Sequence, residues 1–458
     1  MKGPVFNTIR RRGSGRLLIL LFLPMLLACG KGDAETGIVF AVGGAPSELA
    51  AWEKVVKKFE ADSGISVRLL RQPANSQQQL QGLMVAMKSK QRNPDVFLMD
   101  VAWVGLFSAA GWLVPLDNLD RTPFFKELLN RTDVYDGRLM AAPVYLDGGI
   151  LYYRIDLLEK AGMTRPPETW QALAESAQKV QEQMRPENPG FFGFVWQGAQ
   201  YEGLVVNFLE FAGASGGIQL QHETGGVRVA SDANLKALRF MRDLIWDYEI
   251  SPPSTYTEMQ EEEVRTFFQS GNAMYERNWP YAWTLHQSDD SPVKGKVGIA
   301  PLPAPEGEKG VSTLGGYHIG VSKYSDRKAD AEKFAAYVTS KEAQRMVLLE
   351  LGWNPGRGDL YEDEALLERY PHFGEFKDIF RKARPRPVIP YYIQVSNVLQ
   401  TYISGTLARN RSPETALEHA QIEIDSLEQR YGGNPKGDGG QLAEVFPYPA
   451  FSRREAAP

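Results

Sequence analysis

Three large aromatic rings fall within residues 278–283, at Trp279, Tyr281 and Trp283. Pro280 ends the strand predicted before it, so the rings lie at the mouth of that strand. Indole and phenol rings combine a flat apolar face with a polar tip, and a pyranose ring has a C–H face inside a rim of hydroxyls. The segment therefore indicates a stacking surface for a sugar ring. Core packing is the alternative for each ring, and Trp283 fits either role.

Carboxylates at strand ends would complete such a site. Ionised Asp and Glu only accept hydrogen bonds, which sugar hydroxyls donate, and charge-assisted bonds of this kind are strong. Asp100 ends one predicted strand, and Gly43 and Gly44 end another. In open α/β sheets, ligands bind beyond the carboxyl ends of the strands. These positions are therefore candidates for a binding site.

Signals for catalysis are weak. Residues 213–217 match G-x-S-x-G, but a nucleophile elbow needs a strand before the serine, and here a predicted helix precedes it. The five histidines have no metal-ligand spacing, and no phosphate-binding glycine motif follows the first strand. We therefore predict no catalytic residue, no metal and no cofactor. The acidic cluster at residues 258–263 is interpreted as the solvated start of a helix.

The elements that position these residues alternate between strand and helix. Strands are predicted at 37–42, 65–70 and 95–99, with helices beginning at Ser47 and Ser76. A β-α-β-α-β run of this kind predicts a parallel sheet covered by helices on both faces.

The pattern continues to about Tyr431. Residues 142–154 form an extended apolar run, further strands are predicted at 272–279, 297–303 and 316–321, and helices at 169–184, 201–212, 232–248, 261–269, 326–339 and 341–351. Residues 432–458 are rich in Gly and Pro and are predicted to be a flexible tail.

Composition narrows the class of protein. The 458 residues have 43% hydrophobic and 23% charged side chains, which is typical of globular proteins of two or three domains. The net charge is −5. An acidic chain is a poor binder of polyanions, so nucleic acid is not expected as a partner. Cys29 is the single cysteine, so no intramolecular disulfide can form.

The N-terminus has the pattern of an export signal. The first 28 residues carry five Lys and Arg and no acid, and residues 17–28 are largely apolar but too short to span a membrane. Residues 26–30 (LLACG) resemble the bacterial lipobox, in which the cysteine becomes the lipidated first residue. We predict a signal peptide at 1–28 and a lipidated tether at 29–36, with Cys29 anchored on the outer face of the cytoplasmic membrane or in the periplasm. The alternative is a conventional cleavage site near Cys29.

Longer motifs, in order, carry a family resemblance from about Gly37 to Tyr431. They include residues 40–48 (FAVGGAPSE), 94–103 (PDVFLMDVAW), 143–147 (PVYLD), 277–283 (RNWPYAW), 353–357 (WNPGR) and 385–392 (PRPVIPYY). The chain resembles trehalose/maltose-binding proteins, which are extracellular solute-binding subunits (family 1) of carbohydrate ABC importers. The resemblance implies a two-lobed α/β structure of the periplasmic-binding-protein type II fold, with a hinge and a ligand cleft between the lobes.

The resemblance also implies boundaries and partners. The first lobe is expected to comprise 37–143 and about 297–352, and the second lobe 144–296 and about 353–431, with a hinge that includes residues 143–145. A sugar ligand, ABC permease subunits and a monomeric state are expected.

Positions that match the family motifs are the expected sugar contacts. Carboxylates would accept from sugar hydroxyls, Trp279 would stack under a glucose ring with Tyr281 beside it, and Arg386 would donate to hydroxyls. The full set is Glu48, Gln79, Asp100, Tyr145, Asp147, Trp279, Tyr281, Gly315, Gly316, Tyr317 and Arg386.

Two departures from the family bear on the ligand. Tyr317 stands where those relatives carry Trp, and residues 77–79 read Gln-Gln-Gln where they carry an Arg. The expected function is binding of an α-glucoside disaccharide without chemistry, and sucrose, palatinose, trehalose, maltose and glucose remain open. The alternatives are a secreted glycoside hydrolase, with Asp147 and Glu48 as its carboxylates, and a binding protein for a solute other than sugar.

Overall fold

The computed structural model of the protein describes residues 37–44, 46–213, 219–221, 226–370 and 372–431. The predicted signal peptide, Cys29, its tether and the tail at 432–458 lie outside the described residues, as does most of the 213–217 pattern. Among the described residues, no helix combines the length and the apolar character needed to cross a membrane.

The strands are β1 (Ile38–Gly43), β2 (Val67–Gln72), β3 (Val96–Asp100), β4 (Val134–Tyr135), β5 (Arg138–Leu139), β6 (Ala142–Pro143), β7 (Asp147–Gly148), β8 (Ile150–Arg154), β9 (Phe192–Val195), β10 (Gln219–Gln221), β11 (Gly226–Arg228), β12 (Ala273–Asn278), β13 (Val297–Ala300), β14 (Leu314–Gly315) and β15 (Tyr317–Val321).

The helices are α1 (Pro46–Ser63), α2 (Ser76–Lys88), α3 (Val104–Ala109), α4 (Lys126–Thr132), α5 (Ile155–Lys160), α6 (Trp170–Met184), α7 (Glu202–Ala212), α8 (Asp232–Trp246), α9 (Ser254–Thr257), α10 (Glu261–Gln269), α11 (Ala282–His286), α12 (Lys328–Val338), α13 (Lys341–Leu351), α14 (Glu364–Arg369), α15 (Phe373–Lys382), α16 (Tyr392–Leu407) and α17 (Pro413–Tyr431). Short 3-10 helices occupy Val101–Trp103 and Gly358–Glu362.

Local sequence explains several helix ends. The Asn75 side chain accepts a hydrogen bond from the backbone N–H of Gln78 and so caps α2. Thr169 and Ser340 cap α6 and α13 in the same way. Gly352 ends α13 with a φ of 70°, a conformation that glycine adopts without strain.

The first lobe is built on a five-stranded sheet in the order β2-β1-β3-β15-β6. β1 is parallel to β2 and β3, as the alternating pattern predicts, whereas β15 runs antiparallel to both β3 and β6. One face packs against α1 and α12, where Phe40, Trp52 and Phe334 form edge-to-face ring contacts. The other face is covered by α2 and α3. Because helices cover both faces of this sheet, a ligand can approach β1 and β3 at the edge where these strands end.

The second lobe contains a four-stranded sheet in the order β13-β8-β12-β9. β13 pairs with β8, with Val297 opposite Arg154. The predicted return to the first lobe near residue 297 is therefore wrong. The chain returns to the first sheet only at β15. The preceding strand, β14, pairs with β7 and not with a strand of the first sheet.

Three segments cross between the sheets side by side. Gly315 pairs with Asp147, Val144 N donates to the Tyr317 carbonyl at 3.0 Å, and Leu146 N donates to the Asn354 carbonyl at 2.9 Å. The predicted hinge at residues 143–145 overlaps the first of these segments, and Pro143 itself belongs to β6. We refer to residues 144–147, 315–317 and 352–356 as the crossing segments, because they connect the two lobes.

Candidate functional site

A cavity of about 550 Å³ lies between the two sheets, next to the crossing segments. The cavity is lined by the ends of β1 and β3 in the first lobe and by the first turns of α7 and α10 in the second lobe. All the expected sugar contacts line it, namely Glu48, Gln79, Asp100, Tyr145, Asp147, Trp279, Tyr281, Gly315, Gly316, Tyr317 and Arg386. Distant parts of the sequence are thus brought to one place, as the strand-end argument requires.

Aromatic rings on the crossing segments form one wall. Tyr145 stacks on Tyr317, with centroids 5.6 Å apart and planes 17° apart. Trp353 also packs against Tyr145, at 4.3 Å between centroids. Burial raises the pKa of both tyrosines well above its ordinary value, so their hydroxyls remain protonated and can donate hydrogen bonds.

Trp279 stands at the end of β12 in the second lobe. The guanidinium of Arg277 lies over its ring, 4.1 Å from the centroid. Its indole N–H lies 3.4 Å from Glu261 Oε1, and its carbonyl accepts from the Tyr152 hydroxyl at 2.9 Å. Arg277 and Glu261 hold the indole and Tyr152 holds the backbone of the same residue, so that Trp279 presents a fixed surface to the cavity.

Tyr281 reaches the cavity beside Trp279. Its hydroxyl donates to Glu262 Oε1 at 2.6 Å. Trp283, for which both roles were open, does not line the cavity, and its ring lies 5.1 Å from that of His372.

The carboxylates differ in their surroundings. Burial and, to a lesser extent, the nearby charge of Asp100 raise the pKa of Asp147 to about 7, whereas Arg277 acts in the opposite direction. Burial also raises the pKa of Glu261. Asp147 therefore exchanges its proton near neutral pH.

Arg386 joins the two lobes at the edge of the cavity. Its Nη2 donates to Asp100 Oδ1 of the first lobe at 2.6 Å, and its Nη1 donates to Glu202 Oε1 of the second at 3.0 Å. The Tyr392 hydroxyl also donates to Glu202 Oε1, at 2.6 Å. Arg386 lines the cavity as expected, but both of its amino groups are engaged by carboxylates rather than open to hydroxyls.

Gln79 lines the cavity with its donor group engaged. Its side-chain nitrogen donates to the carbonyls of Pro73 and Ala74, at 2.8 and 3.3 Å. In this arrangement the amide stabilises the loop before α2, and its oxygen is the group left for a ligand.

Two glycines keep the backbone close to the site. A Cβ on Gly315 would lie 3.1 Å from Trp279 Cζ3, and one on Gly316 would lie 2.2 Å from the Tyr145 carbonyl oxygen. Gly316 also has a φ of +112°, which strains any other residue. A side chain at either position would disturb the crossing segments.

The residues that line the cavity but were not predicted as contacts include Glu202, Glu261 and Trp353. Trp353 belongs to the motif at residues 353–357 that matches the family, which was the available signal. The interpretation of residues 258–263 as a solvated cluster is wrong for Glu261, because α10 packs on β12 and directs its first turn toward Trp279.

The comparisons with known proteins agree with this geometry. The family described as bacterial extracellular solute-binding protein matches residues 44–345. A protein of Deinococcus radiodurans named "Probable ABC transporter-binding protein" is 34% identical over 418 residues, covering 90% of this chain and 98% of the relative.

Solved structures give the same result. The maltose-bound MalE3 of T. maritima is 36% identical, with a TM-score of 0.79, and the match covers 85% of this chain and 99% of that one. A solute-binding protein from Thermotoga lettingae TMO, bound with α-D-tagatose, is 27% identical with a TM-score of 0.75 over 85% and 99%. These relatives are solute-binding proteins rather than enzymes, and the two-lobed fold is confirmed. The chain belongs to the bacterial extracellular solute-binding protein family.

Proposed function

We propose that the protein binds a neutral α-glucoside disaccharide, of the trehalose, maltose or sucrose kind, and delivers it to an ABC import permease. The observation that carries the proposal is one interlobe cavity in which aromatic rings from both lobes are combined with carboxylates. Its volume of about 550 Å³ is within the range of ~300–1,000 Å³ found for small-molecule sites. The maltose-bound relative at 36% identity supports the α-glucoside class.

The two kinds of wall would bind different parts of the sugar. Trp279 would stack on the C–H face of one ring, with Arg277 supporting the indole from the opposite face. Glu48, Asp147 and Glu261 would accept hydrogen bonds from the hydroxyl rim. Tyr145 and Tyr317 would contribute a second ring surface and neutral donors.

Closure would follow from contacts with both lobes. A ligand that touches both sides of the cleft binds the closed arrangement better, and therefore shifts the population toward it. Residues 144–147, 315–317 and 352–356 are the connections that would bend. The closed form would then dock on the permease, and no covalent chemistry is needed.

Export and anchoring belong to the same proposal. The N-terminal segment would be removed at Cys29, and acyl chains on this residue would hold a monomeric protein at the membrane surface. Mass spectrometry of the membrane fraction tests this, because replacement of Cys29 by Ser should release an unacylated protein. An unmodified Cys29 in that fraction would refute the anchor.

Thermal unfolding of the purified protein with trehalose, maltose, sucrose, palatinose and glucose tests the function. A ligand at 100 times its Kd adds about 2.7 kcal/mol to the free energy of unfolding, which raises Tm visibly. The expected result is a raised Tm with one or two disaccharides, and their recovery uncleaved. Cleaved sugar would indicate a hydrolase, and an unchanged Tm with every sugar would indicate a different solute.

A further inference from the structure

We propose that the buried ion pair of Arg277 and Glu210 is a positioning unit for ligand binding, which fixes the indole plane of Trp279 and joins it to the crossing strand β14. The proposal rests on the sugar-stacking role proposed for Trp279. Neither residue of the pair lines the cavity, so any effect on the ligand must act through side chains that do line it.

The pair is rigid and enclosed. Arg277 Nε and Nη2 donate to the two Glu210 oxygens, at 2.7 Å each, and both side chains are 1% exposed. Arg277 Nη1 also donates to Gln197 Oε1 at 3.3 Å, and the Gln197 amide donates back to the Arg277 carbonyl at 3.1 Å. The plane of the guanidinium is therefore set by partners on α7 and before it, not by the ligand.

The guanidinium supports Trp279 from one side. Its Cζ lies 4.1 Å from the centroid of the indole ring, within the range of a cation–π contact. Trp279 follows Asn278, the last residue of β12, so the strand pairing that orients Arg277 does not extend to the indole. The ion pair therefore substitutes for the sheet in determining the angle at which the indole meets the cavity.

The carboxylate binds the backbone just before a crossing segment. Glu210 Oε1 accepts from the backbone N–H of Thr313 at 3.0 Å, and Thr313 directly precedes β14, which leads into the crossing segment at 315–317. Space around this bond is closed, because a Cβ on Gly149 would lie 2.2 Å from Glu210 Oε1 and 2.6 Å from Arg277 Nη2. The cation of this pair thus contacts Trp279, and its anion anchors the start of β14.

Stability alone does not account for such a pair. Apolar side chains of equal volume often serve a buried site as well or better, since desolvation offsets much of the Coulomb attraction. The ion pair instead fixes the orientation of its two side chains, because a bidentate pair has one favoured geometry. Each partner also makes a second contact, Arg277 with Trp279 and Glu210 with the backbone before β14. Positioning is the role that these directional contacts fit.

The first test uses the ligand-free full-length protein and the ¹H–¹⁵N resonance of the Trp279 indole, assigned with Trp279→Phe. Glu210→Gln, which keeps the shape and an acceptor for Thr313, should shift and broaden this resonance. Arg277→Lys, which keeps the charge but lacks the planar fork, should do the same. Arg154→Gln is the matched control: it removes another bidentate pair of the second lobe, with Asp156 at 2.8 and 2.6 Å, away from the cavity. An indole resonance unchanged in both test variants would overturn the proposal, whatever the ligand is.

The second test is a double-mutant cycle on maltose affinity, measured by calorimetry. Glu210→Gln should weaken binding by about fivefold in the wild-type background and by less than about twofold in Trp279→Ala, because it acts through that ring. Arg154→Gln should lower Tm without a change in affinity. An equal loss in both backgrounds would overturn the proposal. If no sugar of the panel binds to wild type, the proposed function fails, and the indole resonance alone decides the positioning role.

Discussion

Replacement of Asp147 by Asn should remove a pH dependence from ligand binding. This carboxyl group lines the cavity on β7, and burial raises its pKa to about 7. Sugar hydroxyls donate more strongly to the ionised carboxylate than to the neutral acid. The ligand should therefore bind preferentially to the deprotonated protein and release a proton on binding.

The magnitude follows from that pKa. With a pKa of about 7, roughly one molecule in eleven is ionised at pH 6 and roughly ten in eleven at pH 8, so the affinity should rise about tenfold between these values. Isothermal titration calorimetry in buffers of different ionisation enthalpy measures both the affinity and the number of protons released. In Asp147→Asn the tenfold rise and most of the proton release should disappear. Burial also raises the pKa of Glu261, so a residual pH dependence of the affinity is expected in the variant.

The stability of the ligand-free protein should fall as pH rises, whereas its affinity for the ligand should increase. A carboxyl group whose pKa is raised by folding holds its proton more tightly in the folded state, so the free energy of unfolding falls as pH rises from about 4 to about 7. The Tm of the ligand-free protein should therefore decline across this range by more in wild type than in Asp147→Asn. Wild-type affinity that stays flat from pH 6 to pH 8, or that keeps the same slope in Asp147→Asn, would refute the reasoning.

The remaining predictions concern the stacking ring, a glycine and the interlobe ion pairs. Trp279→Ala should cost about 1.5–3 kcal/mol of binding free energy by calorimetry, whereas Trp283→Ala, outside the cavity, should leave the affinity unchanged; equal losses would contradict the assignment. Gly316→Ala should lower the free energy of unfolding in urea by at least about 2 kcal/mol, because its Cβ would meet a carbonyl oxygen at 2.2 Å. Gly82→Ala, where a Cβ meets nothing within 4 Å, should instead be neutral or stabilising by up to about 1 kcal/mol, and the reverse order would refute the steric argument. Arg386→Ala should lower the free energy of unfolding by about 3 kcal/mol, since it leaves two carboxylates from different lobes without their shared cation. Arg386→Lys, which keeps the charge, should lower the free energy of unfolding by less. An equal decrease in the two variants would contradict the role of the charge.

Much of the fold could be read from local patterns. Helices α10 and α13 have the predicted bounds, and strands β1 and β3 differ from theirs by one residue at each end. Apolar periodicity and capping residues are local signals, and they suffice for such elements. The strand β9 was missed because its four residues (FGFV) are short and include a glycine. The sheet to which β13 belongs was predicted wrongly, because pairing partners lie far apart in sequence.

The candidate site shows the same division. Side-chain type and motif position indicated which residues reach the cavity, including Asp147 and Trp279. They could not indicate what those residues contact: the two carboxylates on Arg386, the loop carbonyls on Gln79 and the first turn of α10 at Trp279 all depend on tertiary packing. Contact partners are long-range information, so only the structure supplies them.

The position of β15 in the first sheet has a consequence for the order of folding. This strand lies between β3 and β6, yet it follows the whole four-stranded sheet of the second lobe in the chain. Until synthesis reaches Val321, the first lobe lacks β15, and β3 has no pairing strand on the edge that β15 will occupy. Non-local pairing of this kind slows folding. A nascent chain would therefore remain incompletely folded until late in its synthesis, because the first sheet cannot be completed before β15 has been made.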